Sequence, residues 1–172
     1  MERSLAAGIS AIGGSYGVKI LGIKHLAIAV SDCDAALARY QQFLGVGMDT
    51  TPRDLIKGGS REAHFDFGDV QIQLCQSLTP NHRFAQFIAE HGEGLHHTCL
   101  SVDDVHDAVE RSLAAGAILK ECKACGVTGV HEHPEGWIAF LEGDSVPGME
   151  IEYMQVYKDG EMPERFRKAR DQ

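Results

Sequence analysis

Four residues in this 172-residue chain have the types and spacing for metal chemistry: two histidines, a glutamine and a glutamate, each in a strand-like segment. His25 lies in KHLAIAV and His97 in HHTCLSV, 72 positions on, while Gln73 in VQIQL precedes Glu152 in MEIEY by 79. A seven-residue insertion reconciles the two offsets, so the four fall in the register of one internal repeat. Two neutral imidazoles and two oxygen donors suit a divalent transition ion, and water positions left open would make such a site catalytic. Neighbours on the histidine face are small: Ala27, Ala29, Cys99 and Ser101 cannot fill a sheet interior, so this face is expected to line a cavity. The alternative is that His25 and His97 merely line a barrel and are satisfied by neighbouring amides.

The elements that must position these residues follow from the same repeat. Lys24 to Leu44 echoes His96 to Gly116, with His25 on His97, Val30 on Val102, Asp32 on Asp104 and Arg39 on Arg111. Period-two alternation puts Leu26, Ile28 and Val30 on one strand face and His25, Ala27 and Ala29 on the other; Leu100 and Val102 repeat the pattern. Helix starts are signalled by Ser31 or Asp32 and by Asp103 or Asp104, and Gly45 and Gly116 end the helices. Between the copies Thr79-Pro80 opens a short helix with Phe84, Phe87 and Ile88 on one stripe, read as a bridge rather than a site. HFDFGDVQIQL and WIAFLEGDSVPGMEIEYM read as strand pairs joined at Gly-Asp and Pro-Gly turns. The fold class is α+β, two modules of one helix on about four strands. Their bounds are 21–78 and 94–156, with a linking helix over 79–91, a flexible arm over 1–20 and a charged tail over 157–172.

Composition narrows the function classes. Sixteen basic against 25 acidic residues give a net charge of −9, which argues against nucleic acid as partner. No apolar run reaches membrane-spanning length and no signal-peptide pattern opens the chain, so a soluble, cytoplasmic protein is expected. Five cysteines fit reduced thiols in a reducing compartment. Nine histidines are the compositional anomaly.

The run KHLAIAVSD...LARYQQFLGV, then VQIQL, FAQFIAEHGEGLHH and MEIEY, resembles the vicinal oxygen chelate superfamily and, inside it, the methylmalonyl-CoA epimerases, over about residues 22 to 156. The resemblance implies paired βαβββ modules whose curved mixed sheet cups a metal in a half-barrel. It implies His25, Gln73, His97 and Glu152 as ligands of one divalent ion per chain, with cobalt, manganese, nickel, zinc and iron all compatible. The implied activity is abstraction of the C2 proton of a methylmalonyl-CoA-like substrate, with charge stabilised at the metal. Glu152 is then one acid/base candidate. The second acid/base glutamate of the resembled family maps near Ile56 and Lys57, where none stands. Glu62 and Asp54 are the nearest carboxylates, and Lys57 could serve if desolvation lowered its pKa. Where that family carries a lysine-serine pair near the nucleotide portion of the thioester, this chain has GDSVPG. A small-molecule substrate, an acyl-CoA thioester among the candidates, and a homodimer are the implied partners.

Other signals stand outside this set. ECKACGVTGVHEHPEGW holds Cys122, Cys125, His131 and His133, a pattern that could bind a second zinc. The competing readings put His131 or His133 at the cavity, in an acid/base role for His131, or in an exposed turn. His96 is expected on the opposite strand face from His97, and His64, His82, His91 and His106 in solvent. Two further functional readings stay open: another superfamily metalloenzyme (a glyoxalase-type lyase, or an iron(II) dioxygenase using His25, His97 and Glu152), and a protein that sequesters a small molecule in the same cup.

Overall fold

The computed structural model describes residues 17–170; most of the expected N-terminal arm lies outside the described residues. The first half of the chain runs β1 (Ile20–Ala29), α1 (Cys33–Leu44), β2 (Arg53–Leu55), β3 (Ser60–Phe67) and β4 (Val70–Ser77). After α2 (Arg83–His91), the second half runs β5 (Gly94–Val102), α3 (Val105–Ala114), β6 (Leu119–Cys122), β7 (Val127–Thr128), β8 (His131–His133), β9 (Gly136–Leu141) and β10 (Glu150–Gln155). A last helix, α4 (Glu164–Arg170), falls in the charged tail, and Arg165 pairs with Glu132 of β8.

All ten strands join one curved mixed sheet in the order β2-β3-β4-β1-β5-β10-β9-β6-β7, with β8 paired to β9. The repeat appears as a near two-fold arrangement about the antiparallel β1/β5 seam. Parallel pairing places Ala27 beside Gln73 on one side of the seam and Cys99 beside Glu152 on the other. Since Ala27 and Cys99 are repeat mates, the amide and the carboxylate occupy equivalent positions.

Helices α1 and α3 form where the sequence signals place them. Asp32 accepts the Ala35 N–H at 2.9 Å to start α1, and Asp104 accepts from His106 and Asp107 to start α3. Gly45 closes α1 in the left-handed region at φ 66°, where a side chain would be strained. Both helices cover the outer face of the sheet. Leu37 and Cys33 of α1 pack on Val30, Phe65, Ile72 and Leu74, and Val105, Ala108 and Val109 of α3 pack on Val102, Ala139, Leu141, Ile151 and Tyr153.

Helix α2 departs from expectation in two ways. It begins at Arg83, not at Thr79-Pro80, because residues 79–82 form a turn closed by His82 N–H on the Thr79 carbonyl, and Ser77 Oγ of β4 accepts the first-turn Ala85 N–H. It also lies on the inner face, where fully buried Phe84 packs on Ala27, Ala29 and Cys75. The small residues of β1 therefore make room for an aromatic ring as well as for open space. At the start of β9, Gly136 is required by close approach, since a Cβ there would come within 2.3 Å of the Gln155 carbonyl oxygen.

Candidate active site

The inner face carries a three-way convergence of side chains at the β1/β5/β10 junction. His25 Nε2 lies 3.3 Å from His97 Nε2 and 3.2 Å from Glu152 Oε2, and His97 Nε2 lies 3.3 Å from the same oxygen. All three residues are buried. Ligand bonds of about 2.0–2.2 Å put donors in a tetrahedron or octahedron about 2.8–3.6 Å apart, so this triangle has the dimensions of a coordination edge set. The donor set, two imidazoles and a carboxylate, fits a divalent transition ion. Gln73 lines the same cavity and donates its amide N–H to Gln71 Oε1 at 2.8 Å, which leaves its own Oε1 as the ligand-capable atom.

Electrostatics follow from burial and contact. Burial alone would raise the Glu152 pKa, but hydrogen bonds from His25 and His97 outweigh it and hold the carboxyl well below the usual range. Burial lowers the His97 pKa and keeps the imidazole neutral, although Glu152 pulls the other way. The nearby Cys99 thiol is pushed well up by burial and stays protonated.

His96 is not on the opposite face from His97. Pairing of β5 with β1 runs from His97 opposite Ala27 to Leu95 opposite Ile28, so His96 is the extra residue of a β-bulge. The bulge tucks His96 under α2, with its ring centroid 4.9 Å from that of Phe84 and 5.1 Å from that of Phe87. Its Nδ1 lies 2.9 Å from His97 Nδ1. Burial, reinforced by His97, pushes the His96 pKa down to about 2, leaving a neutral ring that can accept the His97 Nδ1 proton. When an ion replaces the Nε2 contact with Glu152, the His97 proton would move to Nδ1, facing His96, and leave Nε2 as a lone-pair donor.

The triad opens into a cavity of about 300 Å³ lined by Glu62, His64, Gln73, Arg83, Phe84 and Phe140, among others. Glu62 is 8% exposed on β3 and accepts from Ser60 Oγ at 2.6 Å and His64 Nε2 at 2.7 Å. Burial tends to raise its pKa, and these two bonds more than offset it, so the carboxylate is held ionised below its ordinary range. Arg83 lies over the Phe84 ring at 4.6 Å, and its Nε is buried with no partner among the described residues.

The structure thus brings His25, Gln73, His97, Glu152 and Glu62 to one cavity. It does not bring Lys57, which is exposed on the short helical turn after β2 and absent from the lining; two glycines follow it and no described residue folds over its side chain. His131 is buried on β8 but also absent from the lining, whereas His133 is part of it. Sequence reasoning did not consider Arg83, set His96 on the opposite face and placed His64 in solvent, whereas His64 is half-buried at the cavity wall. For His64 a signal existed: it shares the strand face of Glu62 and pairs with Gln73 across β3/β4. For His96 the bulge left no signal.

The sequence profile of the glyoxalase/bleomycin resistance protein/dioxygenase superfamily matches residues 24–133. An ethylmalonyl-CoA/methylmalonyl-CoA epimerase of Cereibacter sphaeroides is 30% identical over 78% of this chain and 97% of its own length. The mitochondrial methylmalonyl-CoA epimerase of Bos taurus is 30% identical over 88% of this chain and 84% of its own length. Among solved structures, the methylmalonyl-CoA epimerase of Mycobacterium tuberculosis superposes with a TM-score of 0.66 at 24% identity, over 81% of this chain and 90% of that one. A Streptomyces coelicolor methylmalonyl-CoA epimerase variant in complex with 2-nitronate-propionyl-CoA gives 0.65 at 21% identity, over 81% and 99%. Fold, repeat and matches together make this chain a member of the glyoxalase/bleomycin resistance protein/dioxygenase superfamily, among its methylmalonyl-CoA epimerase-like enzymes.

Proposed function

We propose that the protein is a metal-dependent epimerase that removes and returns the C2 proton of a methylmalonyl- or ethylmalonyl-CoA-type thioester. The observation that carries this reading is the meeting, in one cavity, of the His25/His97/Glu152 triangle with a second, independently held carboxylate, Glu62. The substrates named for the relatives supply the substrate class.

His25, His97, Glu152 and Gln73 would hold the ion. When bound, a divalent cation supplies Lewis-acid stabilisation of the negative charge that develops on the thioester oxygen as the proton leaves. Glu62 takes the proton on one face, its basic form maintained by Ser60 and His64. Glu152 is the candidate base for the other face. Arg83 offers its guanidinium to the substrate carboxylate, a charge-assisted bidentate pairing that would satisfy the buried Nε. Phe84, Ile138 and Phe140 keep water from the reacting carbon.

The proposal extends to one ion per chain, to a single domain over 21–156, to residence in the cytoplasm and to a homodimer. For the dimer, exposed Ile20, Leu21 and Ile23 at the start of β1 offer apolar surface. Among the described residues no helix is long and apolar enough to cross a membrane.

The test is proton NMR of methylmalonyl-CoA in deuterated buffer, with chelator-stripped protein and with protein reloaded with cobalt. Metal-dependent washout of the C2 proton together with interconversion of the epimers is expected; fully loaded protein that leaves the C2 signal intact would end the epimerase reading. Two histidines and one glutamate are also the donor set of iron(II) oxygenases. Oxygen uptake by ferrous-loaded protein would move the assignment there.

A further inference from the structure

Outside the catalytic cup, the motif Cys122-x-x-Cys125 and His131 come together at the far wall of the cavity. Ligand atoms of the three residues lie within 4.8 Å of one another. The turn between the cysteines is built so that the Cys122 carbonyl accepts both the Cys125 N–H, at 3.2 Å, and the Gly126 N–H, at 2.7 Å, with Gly126 at φ 67°. This geometry curls the backbone around the space the two sulfurs share. From β8, the His131 Nδ1 donates to the Gly129 carbonyl at 2.8 Å, which fixes the proton on Nδ1. The remaining ring nitrogen, Nε2, is buried and has no hydrogen-bond partner among the described residues, and the residue is only 9% exposed. A buried imidazole nitrogen with a free lone pair, beside two thiols, is an unexplained cost unless something binds it.

We propose that Cys122, Cys125 and His131 form a second metal site for a thiophilic divalent cation of which zinc is the best fit. Two thiolates and one imidazole, its other nitrogen anchored on a backbone carbonyl, are a donor set zinc takes in protein sites. Cys125 is exposed, so water completes the fourth position. Binding displaces the two thiol protons and leaves both cysteines as thiolates, with no change in oxidation state. The consequence for the enzyme is mechanical. The ion fastens the β6/β7 hairpin to β8, and those segments supply Cys122, Ala124 and His133 to the wall of the catalytic cavity. Cys122 packs there on Cys99, the strand partner of Glu152. His131 is then a ligand of this site and takes no part in proton transfer.

The experiment loads full-length wild type, Cys125→Ser and His97→Ala proteins with zinc or cobalt, removes excess metal by gel filtration, and measures bound metal and the near-ultraviolet thiolate-to-cobalt band. Cys125 is exposed, so its replacement leaves the fold intact, which circular dichroism checks. Wild type should retain about two equivalents per chain and each variant about one, with the thiolate band at full intensity in wild type and in His97→Ala and strongly reduced in Cys125→Ser. Three results would overturn the proposal: a wild type that holds about one equivalent without a thiolate band, a band that keeps its wild-type intensity in Cys125→Ser, or a Cys122–Cys125 disulfide found by mass after reducing purification. None of these readouts uses turnover, so failure here leaves the epimerase reading standing, and failure there leaves this one.

Discussion

Replacing His64 with leucine removes the imidazole N–H donated to Glu62 at 2.7 Å and leaves the Ser60 hydroxyl at 2.6 Å in place. A hydrogen bond to a charged group contributes roughly 1.5–3 kcal/mol, and one pKa unit corresponds to about 1.36 kcal/mol. Loss of one of the two bonds should therefore raise the Glu62 pKa by about one to two units. The sign follows from the direction of the native shift. Glu62 is held below its ordinary value, so its basic form persists to low pH, and the stability it contributes is present above the unfolded carboxylate value and lost as pH falls through the folded one. In His64→Leu the acid limb of the rate profile moves to higher pH by about one to two units, with the plateau rate within a few-fold of wild type. Glu62→Gln, which keeps the volume and abolishes the base, should lower epimerisation about 10²- to 10⁴-fold, or roughly 3–5 kcal/mol of barrier. It should also leave deuterium exchange measurable from one epimer only, because the other face keeps its own base. The assay is NMR-monitored exchange from each epimer between pH 4 and 9 at saturating metal. An acid limb that stays put in His64→Leu, or Glu62→Gln activity within about ten-fold of wild type, would refute the assignment of Glu62 as a base.

The bulged histidine supports a second expectation: His96→Phe keeps the aromatic packing under Phe84 and Phe87 but removes the acceptor for His97 Nδ1, so metal affinity should fall about 10- to 100-fold in a chelator competition while the melting temperature changes little. Phe84→Ala empties a fully buried site between α2 and the inner face and should cost about 3–5 kcal/mol in denaturant unfolding. Lys57→Ala, at an exposed residue outside the cavity lining, should leave kcat and KM within about two-fold of wild type; a large loss of kcat would restore the lysine as a base.

Much of this architecture was written in local pattern. Alternation along β1 and β5, side-chain caps at Asp32 and Asp104, and a left-handed stop at Gly45 are properties of a few neighbouring residues, and the structure realises them. The repeat extended that local reading to long range. Equivalent strands must occupy equivalent places, so His25, Gln73, His97 and Glu152 could be set on one sheet face before any pairing was known. What sequence could not settle depends on backbone events or contacts that carry no period. The bulge at His96 reverses the facing of a single residue, a defect in alternation that alternation cannot forecast. Which of Lys57 and Glu62 reaches the cavity turned on where the β2–β3 connection lies: the tight turn leaves the lysine in solvent while the next strand carries Glu62 inward. The placement of α2 on the inner face, which brings Arg83 and Phe84 to the cavity, arises because Ser77 at the end of β4 holds the first turn of the helix and because Ala27, Ala29 and Cys75 leave space for a ring. Residue types and spacing thus determined which chemistry this chain can hold and on which face; close packing across non-adjacent strands decided which side chains reach it.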